Sequence, residues 1–194
     1  MLQDLDATLA ALVEGELGIP GVTVSFVGPD GDFPPSSVAL PALSFFLYDI
    51  REDLDLRGSG VWEVEGGSRQ PPPVRVNCSY LITAWPTDTA PNPAEDEHRM
   101  LGELLKVLLR YRAIPAQYLQ GELTGQDPPM PTRIMADNQL TSLGEFWQAM
   151  GGRPKASLHY GVTLSVDVNQ PVPAGPTVTE RVLTINQGAQ PPAG

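Results

Sequence analysis

Asp49, Glu52, Asp53 and Asp55 place four carboxylates within seven residues, with Arg51 and Arg57 among them. Carboxylates this close can divide general acid and general base work when their surroundings push their pKa values apart. That chemistry also needs a nucleophile, a phosphate cradle or a metal, and none accompanies them in the sequence. A second set, Asp96, Glu97 and His98 with the distant His159, has the residue types of a metal site. Successive positions on a helix do not converge on one ion, however, and Glu95 to Glu97 also suit a helix N-terminus. The segment GGRPK (151–155) offers backbone amides and two cations to an anion, but a helix C-terminus closed by a glycine turn explains the same glycines. No Walker loop, GxGxxG, GxSxG elbow or HExxH occurs. The residues thus predict no catalytic centre, no cofactor and no metal site.

The carboxylates stand at the end of ALSFFLYDIREDLDLR (42–57), an apolar run that passes into dense charge without a Gly or Pro break. Leu43, Phe45 and Leu47 alternate with Phe46, Tyr48 and Ile50, which predicts a strand with two apolar faces, covered on both sides. Charge beside aromatic bulk fits a catalytic carboxylate or a contact that fixes the register of subunits. The ion-paired interface is the better reading, because Arg51 and Arg57 lie beside the acids.

Around this segment, Leu2, Leu5, Leu9 and Leu12 predict a first helix ended by Gly18 and Pro20, and Val22, Val24 and Phe26 a short strand. Gly58 to Pro73, with Trp62, reads as a hairpin or excursion suited to binding. Val74 to Ala84 and Leu158 to Val168 alternate as strands with one buried face, the first of which makes Cys78 an inert core thiol. A helix is expected from Asn92, with Pro93 at its first position, Glu95 closing a capping box, and Met100, Leu101, Leu104, Leu105, Leu108 and Leu109 facing the core. Thr141 to Met150 predicts a short helix. Trp85 and Trp147 are interface anchors or core residues, and Thr177 to Asn186 is a last strand before a Pro-rich tail.

These elements make one α/β domain of the α+β kind: a mixed or largely antiparallel sheet of about five or six strands with helices packed on one side. The domain is expected over 1–170, with 171–194 a C-terminal strand and Pro/Gly-rich tail that belongs to the same domain or serves as an assembly arm. The chain has 194 residues, 41% of them apolar, enough for one real core. Its net charge of −11 is uneven: residues 1–50 hold seven acids and no Lys or Arg. Nucleic acid and anionic membranes both require clustered bases, so neither is an expected direct partner. A single cysteine forms no internal disulfide, and no apolar run approaches the roughly 18 residues of a spanning helix, which together point to a soluble protein of a reducing compartment.

Several segments in order, DLDATLAALVEGEL, LSFFLYDIREDLDLR, VNCSYLITAW, DEHRMLGELLKVLLRY with IPAQYL, and LGEFWQAMGGRPKASLHYGVTLSVDV, carry a family resemblance. From Leu2 to Val168 the chain resembles the cap or tail-terminator proteins of phage-tail-like contractile injection systems, the group related to the Photorhabdus virulence cassette cap. The resemblance implies a structural protein, not an enzyme. It implies a hexameric ring at the distal end of the particle that binds the last sheath and inner-tube subunits and stops their polymerisation, assembled in the cytoplasm as part of the particle. An adaptor for membrane anchoring or cargo attachment in the same system, or an unrelated hydrolase, are the alternatives. On the cap reading, Phe46, Tyr48, Asp49, Arg51, Glu52 and Asp53 are expected at the subunit contact and Trp62 at sheath or tube. Val178, Val182 and Ile185, or the strand Val22 to Phe26, would accept an exchanged sheath arm.

Overall fold

The computed structural model describes residues 1–28, 37–56, 62–65, 68–127, 129–135, 143–151, 154–168 and 172–173. The first helix, α1 (Leu2–Glu16), is followed by β1 (Thr23–Ser25) and the long β2 (Ala42–Glu52). A small hairpin, β3 (Glu63–Glu65) and β4 (Ser68–Gln70), leads to β5 (Val74–Trp85) and α2 (Pro93–Arg110). Then come two 3-10 turns, β6 (Thr132–Ile134), α3 (Leu143–Ala149), β7 (Leu158–Val166) and the short β8 (Val172–Pro173).

The main sheet has the order β1-β2-β5-β7-β6. β1 runs parallel to β2 and every other pair is antiparallel, so the sheet is mixed. A second sheet of three short strands, β3-β4-β8, stands apart from it. The expected last strand over Thr177 to Asn186 lies outside the described residues.

One face of the main sheet is sealed by the two long helices. Leu43, Phe45, Cys78, Tyr80, Ile82, Val162 and Leu164 alternate along β2, β5 and β7 and are buried against Leu5, Leu9 and Leu12 of α1 and Met100, Leu104 and Leu108 of α2. Each aliphatic side chain buried in this way stabilises the fold by about 1.5–3 kcal/mol before entropy is set against it. Cys78 sits fully inside, with its thiol pushed up to about 11 by burial, as an inert core residue should be. Asp6 accepts a hydrogen bond from the Tyr80 hydroxyl at 3.0 Å and so ties α1 to β5. Glu16, at the end of α1, accepts from the hydroxyls of Tyr111 and Tyr118, each at 2.7 Å, and pairs with Arg110, clamping the C-terminal end of α2.

Two details of α2 differ from the expectation. Asn92 makes no side-chain cap to the helix backbone; its amide donates instead to the Glu95 carboxylate at 3.3 Å, so the capping box does not form. Leu109 is exposed, and Val107 takes a buried place, because the helix turns its narrower face of Met100, Leu101, Leu104, Val107 and Leu108 to the sheet.

Among the described residues, the opposite face is covered at one end. Phe46 packs on Phe146 of α3 with ring centroids 6.0 Å apart, and Trp147 beside it is buried. Trp147 is therefore a core anchor. Lys155, ion-paired with Glu97, lies 4.5 Å from the ring centroid of Trp85 and extends the cover along β5. Beyond Phe46 no described helix covers this face, and polar residues of β2, β5 and β7 collect there.

Candidate functional site

β2 holds its register with β5 as far as Leu47 opposite Tyr80, and resumes with Asp49 opposite Ser79. Tyr48 is the extra residue of a β-bulge. A bulge shifts the alternation by one, so the residues on one face change from even to odd numbers. Phe46 and Tyr48 before it, and Asp49 and Arg51 after it, consequently share the face turned away from α1 and α2. Without the bulge, Asp49 and Arg51 would project with Phe45 toward the helices.

The result is an open groove of about 300 Å³ at the end of β2, floored by Asn77, Ser79 and Gly161 and walled by Asp49, Arg51 and Arg133. Arg51 reaches back two residues to Asp49 at 2.8 Å; both are on the rim, where such a pair is worth under about 1 kcal/mol. The Tyr48 hydroxyl and Nδ1 of His159 lie 3.4 Å apart, with the rings edge to face. Burial pulls the His159 pKa down and pushes the Tyr48 pKa up, so near neutral pH both side chains are favoured uncharged. Ser79 donates to Asn77 at 3.0 Å and Asn77 to Thr163 at 3.4 Å, a ladder of neutral polar groups across β5 and β7.

Asp53 behaves differently from the other acids. It is 7% exposed, and its amide donates to the Arg75 carbonyl at 2.8 Å. Its carboxylate accepts from the Leu56 amide at 3.2 Å and the Thr163 hydroxyl at 3.3 Å, with the Arg133 guanidinium 3.9 Å away. Asp53 thus joins the end of β2 to β5 by its amide and to β6 and β7 by its carboxylate. Arg75, also 7% exposed, bonds the Ser165 hydroxyl; burial lowers its pKa and the Asp53 charge opposes that shift. Asp53 and Arg75 form the internal foundation of the groove, whereas Asp49, Arg51 and Asp55 form its accessible rim.

Of the six residues expected together at a contact, Tyr48, Asp49, Arg51 and Asp53 meet on this face. Phe46 shares the face but is engaged by Phe146. Glu52 lines the groove although its register partner, Val76, belongs to the other alternation. Trp62 is elsewhere, beside the small β3-β4-β8 sheet, 44% exposed, with the Arg69 guanidinium 5.1 Å from its ring centroid. Val178, Val182, Ile185 and Arg57 lie outside the described residues. Sequence reasoning missed Asn77, Ser79, Arg133 and Thr163, and the polar alternation along β5 and β7 was the signal for all but Arg133.

Among the described residues the groove holds no assembled nucleophile. Ser79 is bonded to Asn77, and the imidazole faces a tyrosine. Among the described residues no three His, Cys, Asp or Glu side chains converge as metal ligands; Glu97 is taken by Lys155 and Asp96 by Arg99 at 2.7 Å. What the arrangement offers is a charged, hydrogen-bonding surface with a rigid floor.

The comparisons with known proteins point the same way. The family model described as the Pvc16 N-terminal domain matches residues 4–180. The cryo-EM structure of the sheath/tube terminator of an extracellular contractile injection system, PVC, in its extended state is similar with a TM-score of 0.69 and 28% identity, over 97% of this chain and 64% of that one. The anti-feeding prophage cap, a tube-terminating cap, is similar with a TM-score of 0.63 and 26% identity, over 95% of this chain and 61% of that one. This chain therefore spans just under two thirds of the length of the terminators it resembles. No curated protein sequence matches it.

Proposed function

Because the chain belongs to the Pvc16 N-terminal domain family, we propose that it is a structural terminator of a contractile injection system, a cap at the distal end of sheath and inner tube that halts their polymerisation. The observation that carries this reading is the likeness, over nearly the whole of this chain, to two solved terminators. The partners it implies are the last sheath and tube subunits and further copies of the chain in a closed, six-membered ring. Such a ring uses up each subunit's adhesive surface, which is how a cap ends growth.

The open face supports the same role. A mixed rim of Asp49, Arg51 and Arg133 on a rigid floor suits a contact whose register charge must fix, and it lacks the groups of a hydrolase. We read the protein as non-enzymatic. Among the described residues no helix is long and apolar enough to cross a membrane, so an assembly step in the cytoplasm followed by residence in the particle needs no insertion device from them.

Removing the gene from a producing strain tests the proposal. Sheath and tube should then grow to variable lengths, with ragged or missing distal ends in electron micrographs. Particles of normal, uniform length with intact distal ends would refute the cap role, and normal particles that fail only in attachment or loading would identify an adaptor.

A further inference from the structure

Trp62, Val64 and Val172 are exposed, at 44%, 68% and 39%. They lie together. Arg69 stands directly opposite Val64 across β3 and β4, and directly opposite Val172 across β4 and β8, and residues directly opposite one another share a face of a sheet. Trp62 precedes Val64 by two residues and takes the same alternation, and the Arg69 guanidinium, 5.1 Å from its ring centroid, closes the group. One face of β3-β4-β8 thus carries an exposed cation ringed by a tryptophan and two valines.

Exposed aromatic and aliphatic surface gathered in one place marks a contact, as the same residues scattered singly do not. The cation says what kind of contact. The chain has 23 acids to 12 bases, and Arg51, Arg99, Lys106, Arg110 and Lys155 each pair with one of its own carboxylates. Arg69 is held over Trp62 instead, and among the described residues no carboxylate pairs with it. A guanidinium lying on an indole keeps its in-plane N–H groups for a carboxylate, and the stacking has already fixed its orientation. Trp and Arg are also the side chains whose truncation at the centre of a contact costs binding most.

The complement of this face is a carboxylate for Arg69 with aliphatic groups beside it for Trp62, Val64 and Val172. A phosphate polymer would meet the remaining charge of a chain at −11, and a symmetric contact between two copies would set Arg69 against Arg69. A different polypeptide fits better. Of the partners in the cap reading, the tube is the one that both solved terminators are described as ending.

We propose that the Trp62, Val64, Arg69 and Val172 face of the small sheet docks a segment of the last inner-tube subunit in which a carboxylate stands among aliphatic side chains. The inference rests on the cap reading and names one surface that serves it. Four side chains are an anchor within a larger contact, since a stable interface buries about 800 Å² on each partner.

Photo-cross-linking in a producing strain tests it. Val64, the most exposed of the four, is replaced by the photo-reactive amino acid p-benzoylphenylalanine, and capped particles are purified and irradiated. The expected product is a covalent adduct of this chain with the tube protein, its attachment point beside an Asp or Glu in the peptide map. Capped particles that give no adduct, or an adduct with the sheath protein or a second copy of the chain, would overturn the proposal while leaving the cap role intact. Uniform, intact particles from a strain without the gene would remove the cap reading itself.

Charge at Arg69 gives an independent outcome. Arg69→Glu should lower the capped fraction by roughly tenfold, whereas Arg69→Lys, which keeps the charge but not the planar fork, should lower it by about threefold. Replacing the cross-linked carboxylate of the tube by Lys should restore most of the Arg69→Glu loss. A capped fraction unchanged in Arg69→Glu, or failure of that rescue with every variant folded by circular dichroism, would also overturn the proposal.

Discussion

The two faces of the main sheet are built from the same strands and do opposite things. Toward α1 and α2, β2, β5 and β7 present Phe45, Tyr80, Ile82 and Leu164 in a dry, continuous core. Toward the open side they present Tyr48, Asn77, Ser79 and His159, half covered, with the buried Asp53 and Arg75 beneath. The helical face therefore carries most of the stability, and the open face spends some of it on buried charge held in one geometry. Specific recognition needs the second arrangement, since an apolar face fixes position less sharply than hydrogen-bonded charge.

The largest test of this division is in the core. Phe45→Ala should cost about 3–5 kcal/mol, measured by chemical denaturation, because the ring is fully buried between Phe26 and Tyr80 and its loss leaves a cavity. A loss below 1 kcal/mol would mean that the helical face is not the stabilising one. Asp53→Ala should cost less, about 2–3 kcal/mol, since it leaves the Thr163 hydroxyl without its acceptor and takes a negative charge away from the buried Arg75.

The two faces should also respond oppositely to pH. Desolvation raises the Asp6 pKa above its ordinary 3.8, so ionisation weakens the core face: the contribution is fullest below 3.8 and declines as pH rises through the elevated value. Asp6→Asn, which keeps an acceptor for Tyr80, should raise the melting temperature at pH 7 and change it little in strong acid. Burial depresses the His159 pKa below 6.5, so the open face is fully stable above 6.5 and loses stability as pH falls from there through the depressed value. His159→Gln should flatten that limb of a stability profile. The smallest effect on folding is expected for Asp49→Ala, within about 0.5 kcal/mol, because its pair with Arg51 is on the rim. If the rim serves assembly, the same variant should lower the capped fraction of particles measurably.

Much of this was legible in the sequence because it follows from periodicity. The helices α1 and α2, the strands β2, β5 and β7, and the one-sided burial of Cys78 all come from alternation or from three- and four-residue spacing. The carboxylate cluster was visible as composition, but its division into a buried Asp53 and an exposed rim was not. That division depends on the bulge at Tyr48, and no Gly or Pro marks the position, since the extra residue is dictated by pairing with β5. The capping box failed for a related reason: the motif specifies partners, and here the Asn92 amide found the Glu95 carboxylate in place of the backbone. Arg133 gave no signal in the sequence because it reaches the rim from β6, a strand of three residues too short for any pattern.

Closure of the distal end of a contractile particle is the role proposed for this chain. Cryo-EM of purified particles carrying an affinity-tagged copy, with a gold-labelled antibody against the tag, tests it most directly. A cap should carry the label at one end, the end away from the baseplate, over a six-fold ring in contact with the last sheath and tube layers. Label along the sheath, at the baseplate, or on free protein with the distal end closed by something else would contradict it.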